Sequence, residues 1–465
     1  MSDPAKADPA QPAPKYNESA PAPEPRAEHQ SPKGAFAPFM QGALQDDPER
    51  HFRRLPRLLK RLTPSVLWRR ARLPLRRRRW MAENAAATAA WRKPALAAPP
   101  EGPRAAALGD FSGENGISRA ALYELARLSA RHPGLEVIDA GPAMHAGRPL
   151  APAEGPPLDR LYLLSAPDTY ATVLPALPPA RAAQAWRTGL WVWETPHLGP
   201  DWGFAFDIVH EIWTPSAYSA AAIAPAAAPH GIAVSGRPHA VPPPAAVGAA
   251  AAAAIRARYA VPADAFLGLA VMDSRSCPAR KNPWAHVAAW AAAFGPDPAR
   301  RLILKIRLSK RTACVRDELA EMIATAPNIR VIEDYLAPAE MDALQAAADV
   351  YLSLHRAEGY GLNIHEMLAR ETPVVATDWS ANAEYGPDFA AYHPVPARLV
   401  PYRDWTAHYP GARFSWAEPD IAAAAAALRR IAAASDAAPR RIAAASDAAS
   451  DTATEAEKPR HTPAD

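Results

Sequence analysis

From Arg104 onward the chain alternates short apolar runs with longer stretches whose apolar residues recur every three or four positions. The short runs have the length of buried strands and the longer ones the period of amphipathic helices, so their alternation predicts open parallel sheets. Ala105 to Leu108 is the first expected strand, followed by Leu135 to Ile138, Leu161 to Leu164, Leu190 to Trp193 and Ile208 to Trp213. A polar, glycine-containing turn, Gly109 to Gly116, follows the first strand, and Ile117, Ala121, Leu125 and Leu128 then fall on one helical face. The pattern stops at Arg237-Pro-His-Ala-Val-Pro-Pro-Pro244, too rich in proline for the interior of an element and expected to be a crossover between domains. It restarts with Phe266 to Met272, Leu302 to Ile306, Ile329 to Ile332, Val350 to Leu354 and Val374 to Ala376. Asn282-Pro283 has the composition of a helix start, with the amide as cap, and Met341, Leu344 and Ala348 mark the buried stripe of a later helix. The expected fold is α/β, two Rossmann-like domains facing across a cleft, residues 104–240 and 245–430. Ligands of such sheets sit beyond the carboxyl ends of the strands, which would turn Gly113 to Gly116 and the loop after Trp193 toward the cleft.

The ends of the chain lack this pattern. A length of 465 residues is long for one core, and the 53 prolines are concentrated rather than spread. Residues 1–100 read as a disordered arm, and 431–465 as a disordered tail in which Arg429 to Asp436 is repeated as Arg440 to Asp447. The net charge of +4 conceals an asymmetry, because 13 Lys and Arg and no acid lie between Arg50 and Trp80. Interleaved aliphatic and aromatic residues, from Phe52 to Trp80, suit that segment to an anionic membrane surface, each charge contributing about 1 kcal/mol. Pro56, Pro64 and Pro74 are expected to break it into short pieces. A merely disordered basic arm fits the same residues, and nucleic acid is disfavoured because no base-reading module follows. Two cysteines, Cys277 and Cys314, imply no disulfide framework. With no secretory pattern and no apolar run of about 20 residues, the expectation is a cytoplasmic protein, peripheral on the inner face of the membrane where the basic segment docks. Ala245 to Ile255 is expected to be a surface helix.

The chemistry concentrates in one segment. Glu358-Gly-Tyr-Gly-Leu-Asn-Ile-His-Glu366 joins a buried strand to a helix through two glycines and carries an acid at each end. A strand-to-helix junction of this kind presents backbone N–H groups and the positive end of a helix dipole, which suit a diphosphate. Two carboxylates in the same place would repel that phosphate unless they accept hydrogen bonds from something neutral, such as the hydroxyls of a sugar and a ribose. Pro373-Val-Val-Ala-Thr377 and Ser380-Ala-Asn-Ala-Glu384 follow in order; upstream lie Arg280-Lys281-Asn282-Pro283, Trp191-Val-Trp-Glu194 and Trp213-Thr-Pro-Ser216.

This ordered set resembles the family 4 retaining glycosyltransferases, with their E-x7-E motif and two-domain GT-B fold, in the branch that builds bacterial surface polysaccharides; the likeness spans roughly Arg104 to Arg430. It implies that Glu358 accepts hydrogen bonds from the transferred sugar, Glu366 meets the ribose, and Lys281 stabilises the diphosphate as the sugar departs, assisted by Arg280 or Arg275. Gly359, Tyr360, Gly361 and Leu362 would supply backbone amides, and Ser380 and Asn382 would approach phosphate or sugar. Ser276 stands where the commoner spacing has a second cation, and Ala381 where glycine is frequent. Gly116, Glu194 and His197 are candidates for the acceptor side of the cleft, although His197 reads equally as an exposed loop histidine. Glu333 to Leu336 are candidates for the wall of the base pocket.

Alone, two glutamates at this spacing arise by chance, and an Arg-Lys pair is most often a solvated turn; the order of the flanking strands and turns makes them specific. No D-x-D, zinc-ligand spacing, nucleophile elbow or Walker loop is present, so neither a metal nor a cofactor is expected, only a UDP- or GDP-sugar donor. The expected activity is metal-independent transfer of a hexose, with retention, to a carbohydrate or lipid-linked acceptor in cell-surface polysaccharide synthesis. The alternatives are a non-catalytic nucleotide-sugar-binding or scaffold protein and, less favoured by residue order, an epimerase or phosphorylase of the same fold.

Overall fold

The computed structural model describes residues 64–113, 115–273, 276–308, 313–403, 409 and 413–437. The first 63 residues of the expected arm, the tail beyond 437 and Arg275 lie outside the described residues.

Two six-stranded parallel sheets carry the fold. The first contains β1 (Ala105–Gly109), β2 (Glu136–Asp139), β3 (Arg160–Leu164), β4 (Trp186–Leu190), β5 (Glu211–Thr214) and β6 (Ala233–Gly236), in the order β2-β1-β3-β4-β5-β6. The second contains β7 (Phe266–Asp273), β8 (Arg300–Arg307), β9 (Ile329–Ile332), β10 (Val350–Ser353), β11 (Val374–Thr377) and β12 (Tyr392–Val395), in the order β12-β11-β10-β7-β8-β9. Helices cover both faces, which is why the central strands read as unbroken apolar runs: Ala106, Ala107, Leu108, Leu267 and Leu269 are fully buried. An antiparallel hairpin, β13 (Ala397–Pro401) and β14 (Ser415–Pro419), follows the second sheet. The GT-B arrangement expected from the resemblance is the one observed.

Helix α1 (Pro64–Ala87) precedes the first sheet, and α2 (Gly116–Arg131) follows β1. A capping box starts α2: the Asn115 side chain accepts from the Ile117 and Ser118 amides, and Ser118 Oγ accepts from the Asn115 amide. Ser216 caps α3 (Ala217–Ala227) in the same way, accepting from the Ser219 amide at 3.1 Å. Helix α4 (Ala249–Arg258) opens the second unit, followed by α5 (Pro283–Phe294), α6 (Pro338–Ala346) and α7 (Leu362–Ala369); α8 (Ile421–Ala437) closes the described chain.

Several elements depart from the sequence reading. Helix α1 runs without interruption through Pro74, where a break was expected, at the loss of one backbone hydrogen bond. Its second half is held by the first unit: Trp80 meets Phe204 edge to face at 6.3 Å, Arg77 pairs with Asp201, and Trp91 beyond it is 3% exposed in the core. That unit therefore begins upstream of Arg104, within residues read as part of a disordered arm. Strand β4 ends at Leu190 rather than reaching Trp193, because Trp191 turns into the core and donates Nε1–H to the Tyr170 hydroxyl at 2.9 Å. Ile117 leaves the buried face of α2 and lines the cleft. Asn282 adopts a left-handed conformation (φ 53°) and its amide makes no cap, leaving Nδ2 buried without a partner among the described residues. Helix α4 starts at Ala249 and buries Ala252 and Ile255, while Arg256 is tied to Asp349 at 2.9 Å; it is less a surface helix than expected. Helix α8 continues past the expected boundary, with Ile431 and Ala432 buried. Strands β6 and β12 and the hairpin were not anticipated.

Candidate functional site

In each sheet the strand order reverses once, between β1 and β3 in the first and between β10 and β7 in the second. Such reversals open a crevice beyond the carboxyl ends of the strands. The two crevices meet in one cavity of 1050 Å³, lined by Gly113 and Gly116 after β1, Asp168 after β3, Lys281 after β7 and Glu358 after β10. This is the size of a pocket that encloses a ligand rather than grazing it.

Glu358 sits beyond β10, and its carboxylate is held by cations of its own unit. Lys281 Nζ donates to Oε1 at 2.5 Å, and Arg280 Nη1 lies 3.3 Å from Oε2. Burial pushes the Glu358 carboxyl up, but Lys281 and then Arg280 outweigh it and hold it at about 2. Glu358 is therefore a fixed anion at neutral pH. Lys281 remains partly exposed and lines the cavity, so its further donors are available to a ligand. Arg280 is fully buried and not in the cavity wall. It bridges Glu358 to Glu194 (2.8 Å) and donates to the Ala357 carbonyl (2.8 Å), so it positions the two acids instead of meeting the diphosphate as expected.

The junction itself is set by close approach. Gly361 has φ 82°, a conformation open to glycine, and a Cβ on Gly359 would lie 2.7 Å from the Trp193 carbonyl oxygen. No side chain caps α7, and the residues of its first turn, Leu362 and Asn363 among them, line the cavity. Its unpaired N–H groups thus belong to the cavity wall. Tyr360 is 3% exposed, and its hydroxyl shares a hydrogen bond with His365 Nδ1 at 2.7 Å. Ser380 and Asn382 are buried and stand behind the cavity wall rather than in it. Ser380 Oγ accepts from the Glu358 amide at 2.9 Å; Asn382 donates to the Thr377 carbonyl (2.8 Å) and accepts from His355 Nε2 (2.8 Å).

Glu366 points at the opposite unit. Arg119 Nη1 and the Tyr123 hydroxyl, both on α2, donate to its two oxygens at 2.9 Å each, and Gln345 adds a contact at 3.3 Å. Arg119 also donates to Asn363 Oδ1 at 2.8 Å. Further contacts close the units on each other: Ser216 Oγ donates to the Gly359 carbonyl at 2.7 Å, and Glu384 accepts from the Ala217 and Tyr218 amides at the start of α3, at 2.9 and 2.6 Å.

Of the acceptor-side candidates, Gly116 and Glu194 line the cavity, Glu194 being tied to Arg280 and Tyr409. His197 is exposed and outside the cavity wall, and its carbonyl accepts from Trp193 Nε1 at 2.9 Å and Thr195 Oγ1 at 3.1 Å. Of the base-pocket candidates, Tyr335 and Leu336 line the cavity; Glu333 instead pairs with Arg316 at 2.5 Å. The sequence reading missed Arg119, Tyr123 and Asp168. A helical spacing of four between Arg119 and Tyr123 was visible, but nothing in it named a partner on the other unit. Among the described residues no group of three His, Cys, Asp or Glu gathers to hold a metal ion.

No family model and no curated protein matches the chain. Solved structures similar to it include Anabaena HepE in complex with UDP (14% identity, 76% of this chain and 100% of that one, TM-score 0.43). WaaG, a glycosyltransferase involved in lipopolysaccharide biosynthesis, is similar at 14% identity over 70% of this chain and 90% of its own (TM-score 0.41). A glycosyltransferase from Rickettsia africae is similar at 11% identity over 63% and 83% (TM-score 0.41). At identities this low, the assignment of chemistry falls to the side chains of the chain itself.

Proposed function

We propose that the protein is a retaining, metal-independent glycosyltransferase that moves a hexose from a UDP- or GDP-sugar to a carbohydrate or lipid-linked acceptor. The observation that carries this reading is the division of one cavity: a fixed anion and a cation at the ends of β10 and β7, a second acid eight residues on, and the uncapped start of α7 between them. A nucleotide sugar laid along that cavity would place its sugar hydroxyls on Glu358, its diphosphate against Lys281 and the first turn of α7, and its ribose diol on Glu366. As the sugar departs, negative charge grows on the diphosphate, and a preorganised cation and helix start favour that state over the bound substrate. In the family resembled, the leaving phosphate takes the acceptor proton on the same face, so no enzymic nucleophile is needed.

A place in cell-surface polysaccharide synthesis follows from the branch resembled. The basic segment 50–80 fits an anionic membrane surface on the cytoplasmic side, and its described part leaves Arg78, Arg79 and Leu75 exposed on α1. Among the described residues no helix is long and apolar enough to cross a membrane.

The deciding experiment is incubation of the full chain with UDP-glucose, UDP-galactose and GDP-mannose, with thermal-shift readings on UDP and GDP alongside. Release of nucleotide from at least one donor, with a rise in melting temperature on the matching nucleotide, is expected. A shift without cleavage of any donor would favour the non-catalytic binding or scaffold protein.

A further inference from the structure

Among the described residues six acids line the cavity, and five of them are engaged. Glu194 meets Arg280 and Tyr409, Asp342 meets Arg370 at 2.6 Å, Glu358 meets Lys281 and Glu366 meets Arg119; Asp273 is engaged as well. Asp168 has no hydrogen bond or ion pair to another residue among the described ones. It follows β3, whose carboxyl end borders the strand-order reversal of the first sheet, and it lines the same cavity as Glu358.

The turn that carries it is rigid. Pro167 is buried, and Thr169 Oγ1 is bonded both to Ser165 Oγ and to the Ala166 carbonyl at 2.7 Å. Its carboxylate surface is open to the cavity, while burial on the protein side, and Glu194 in addition, push the carboxyl up against the pull of its own backbone amide. A carboxylate with spare lone pairs, carried on a braced turn and short of donors, suits a hydroxyl group.

We propose that Asp168 is an acceptor-binding residue, whose carboxylate accepts a hydrogen bond from a hydroxyl of the acceptor sugar next to the one that receives the transferred hexose, leaving that one's proton to the departing phosphate. The assignment rests on the glycosyl-transfer reading above and adds the side of the cavity from which the acceptor is presented. Water, the smallest hydroxyl acceptor, would be held by the same oxygen.

The test is donor hydrolysis by the full chain and by Asp168→Ala and Asp168→Asn, using whichever of UDP-glucose, UDP-galactose and GDP-mannose the unaltered protein cleaves. Asp168→Ala is expected to lower kcat for hydrolysis about tenfold or more, with donor KM and the nucleotide-induced thermal shift unchanged. Asp168→Asn, which keeps one accepting oxygen, is expected to retain more of the rate. Unchanged hydrolysis in the alanine variant would overturn the proposal, and so would loss of the nucleotide shift, which would make Asp168 a donor-site or structural residue. Failure of the unaltered protein to cleave any of the three donors would instead sink the enzymic reading itself.

Discussion

Glu358 and Glu366 lie eight residues apart in one motif, yet they are held by opposite halves of the molecule. Lys281 and Arg280, cations of its own unit, grip Glu358. Glu366 is gripped by Arg119 and Tyr123 of the other unit. One end of the cavity is therefore preorganised within a single domain, and the other is made by contact between two. On the proposed reading, a ribose arriving at Glu366 would compete with Arg119 and Tyr123, whereas a sugar arriving at Glu358 would add to an ion pair already in place.

The largest consequence concerns Glu358. Replacing it with Gln keeps the shape and removes the anion, and transfer should fall by about a hundredfold to a thousandfold, read as kcat on the cleaved donor. Glu358→Ala should in addition cost stability, on the order of 3 kcal/mol in chemical unfolding, because it leaves a buried cation short of a partner. Full activity in the Gln variant would remove the sugar end from the account.

The next consequence sets the two ends against each other. Glu366→Ala should weaken UDP or GDP binding about tenfold in calorimetric titration, roughly 1.4 kcal/mol. Arg119→Ala should do the opposite and tighten binding a few-fold, since it removes a competitor worth up to about 1 kcal/mol. Weakening in both variants would mean that Arg119 serves the ligand directly.

Acid separates the buried groups further. Burial holds His239 at about 3 and His286 and His355 at about 4, below the ordinary 6.5. The unfolded chain then takes up protons that the folded one refuses, so stability is complete above pH 6.5 and falls as pH drops toward 4. Glu358 has a depressed carboxyl, so its contribution is present above 4.5 and is lost only as pH falls toward 2. Melting temperature followed against pH should show the histidine step first, and Glu358→Gln should remove the lower step alone. Ser216→Ala deletes both the hydrogen bond to the Gly359 carbonyl and the cap of α3, and should cost about 1–2 kcal/mol in unfolding.

Most strands were legible in the sequence because a strand covered on both faces leaves an unbroken apolar run. Phe266 to Met272 and Val374 to Ala376 are of that kind. Trp191 and Trp193 misled because an apolar pair beyond a strand end looks like the strand itself, although it packs against Trp202 instead. Helix α1 was hidden by Pro74, since the contacts that hold it, Trp80 with Phe204 and Arg77 with Asp201, are to residues 124 positions away. Within the site, the glycines, Glu358 and Lys281 were readable because motif chemistry is local. The buried roles of Arg280, Ser380 and Asn382 were not, because spacing does not distinguish a side chain in the cavity wall from one behind it. Arg119 and Tyr123 were invisible for a related reason: their partner lies 247 and 243 residues away.

The most direct test is a crystal structure of the protein grown with UDP or GDP. The ribose hydroxyls should lie on the Glu366 carboxylate, the diphosphate between Lys281 and the first turn of α7, and Arg119 should have left Glu366. A nucleotide bound elsewhere, with the contact between Arg119 and Glu366 intact, would contradict the account.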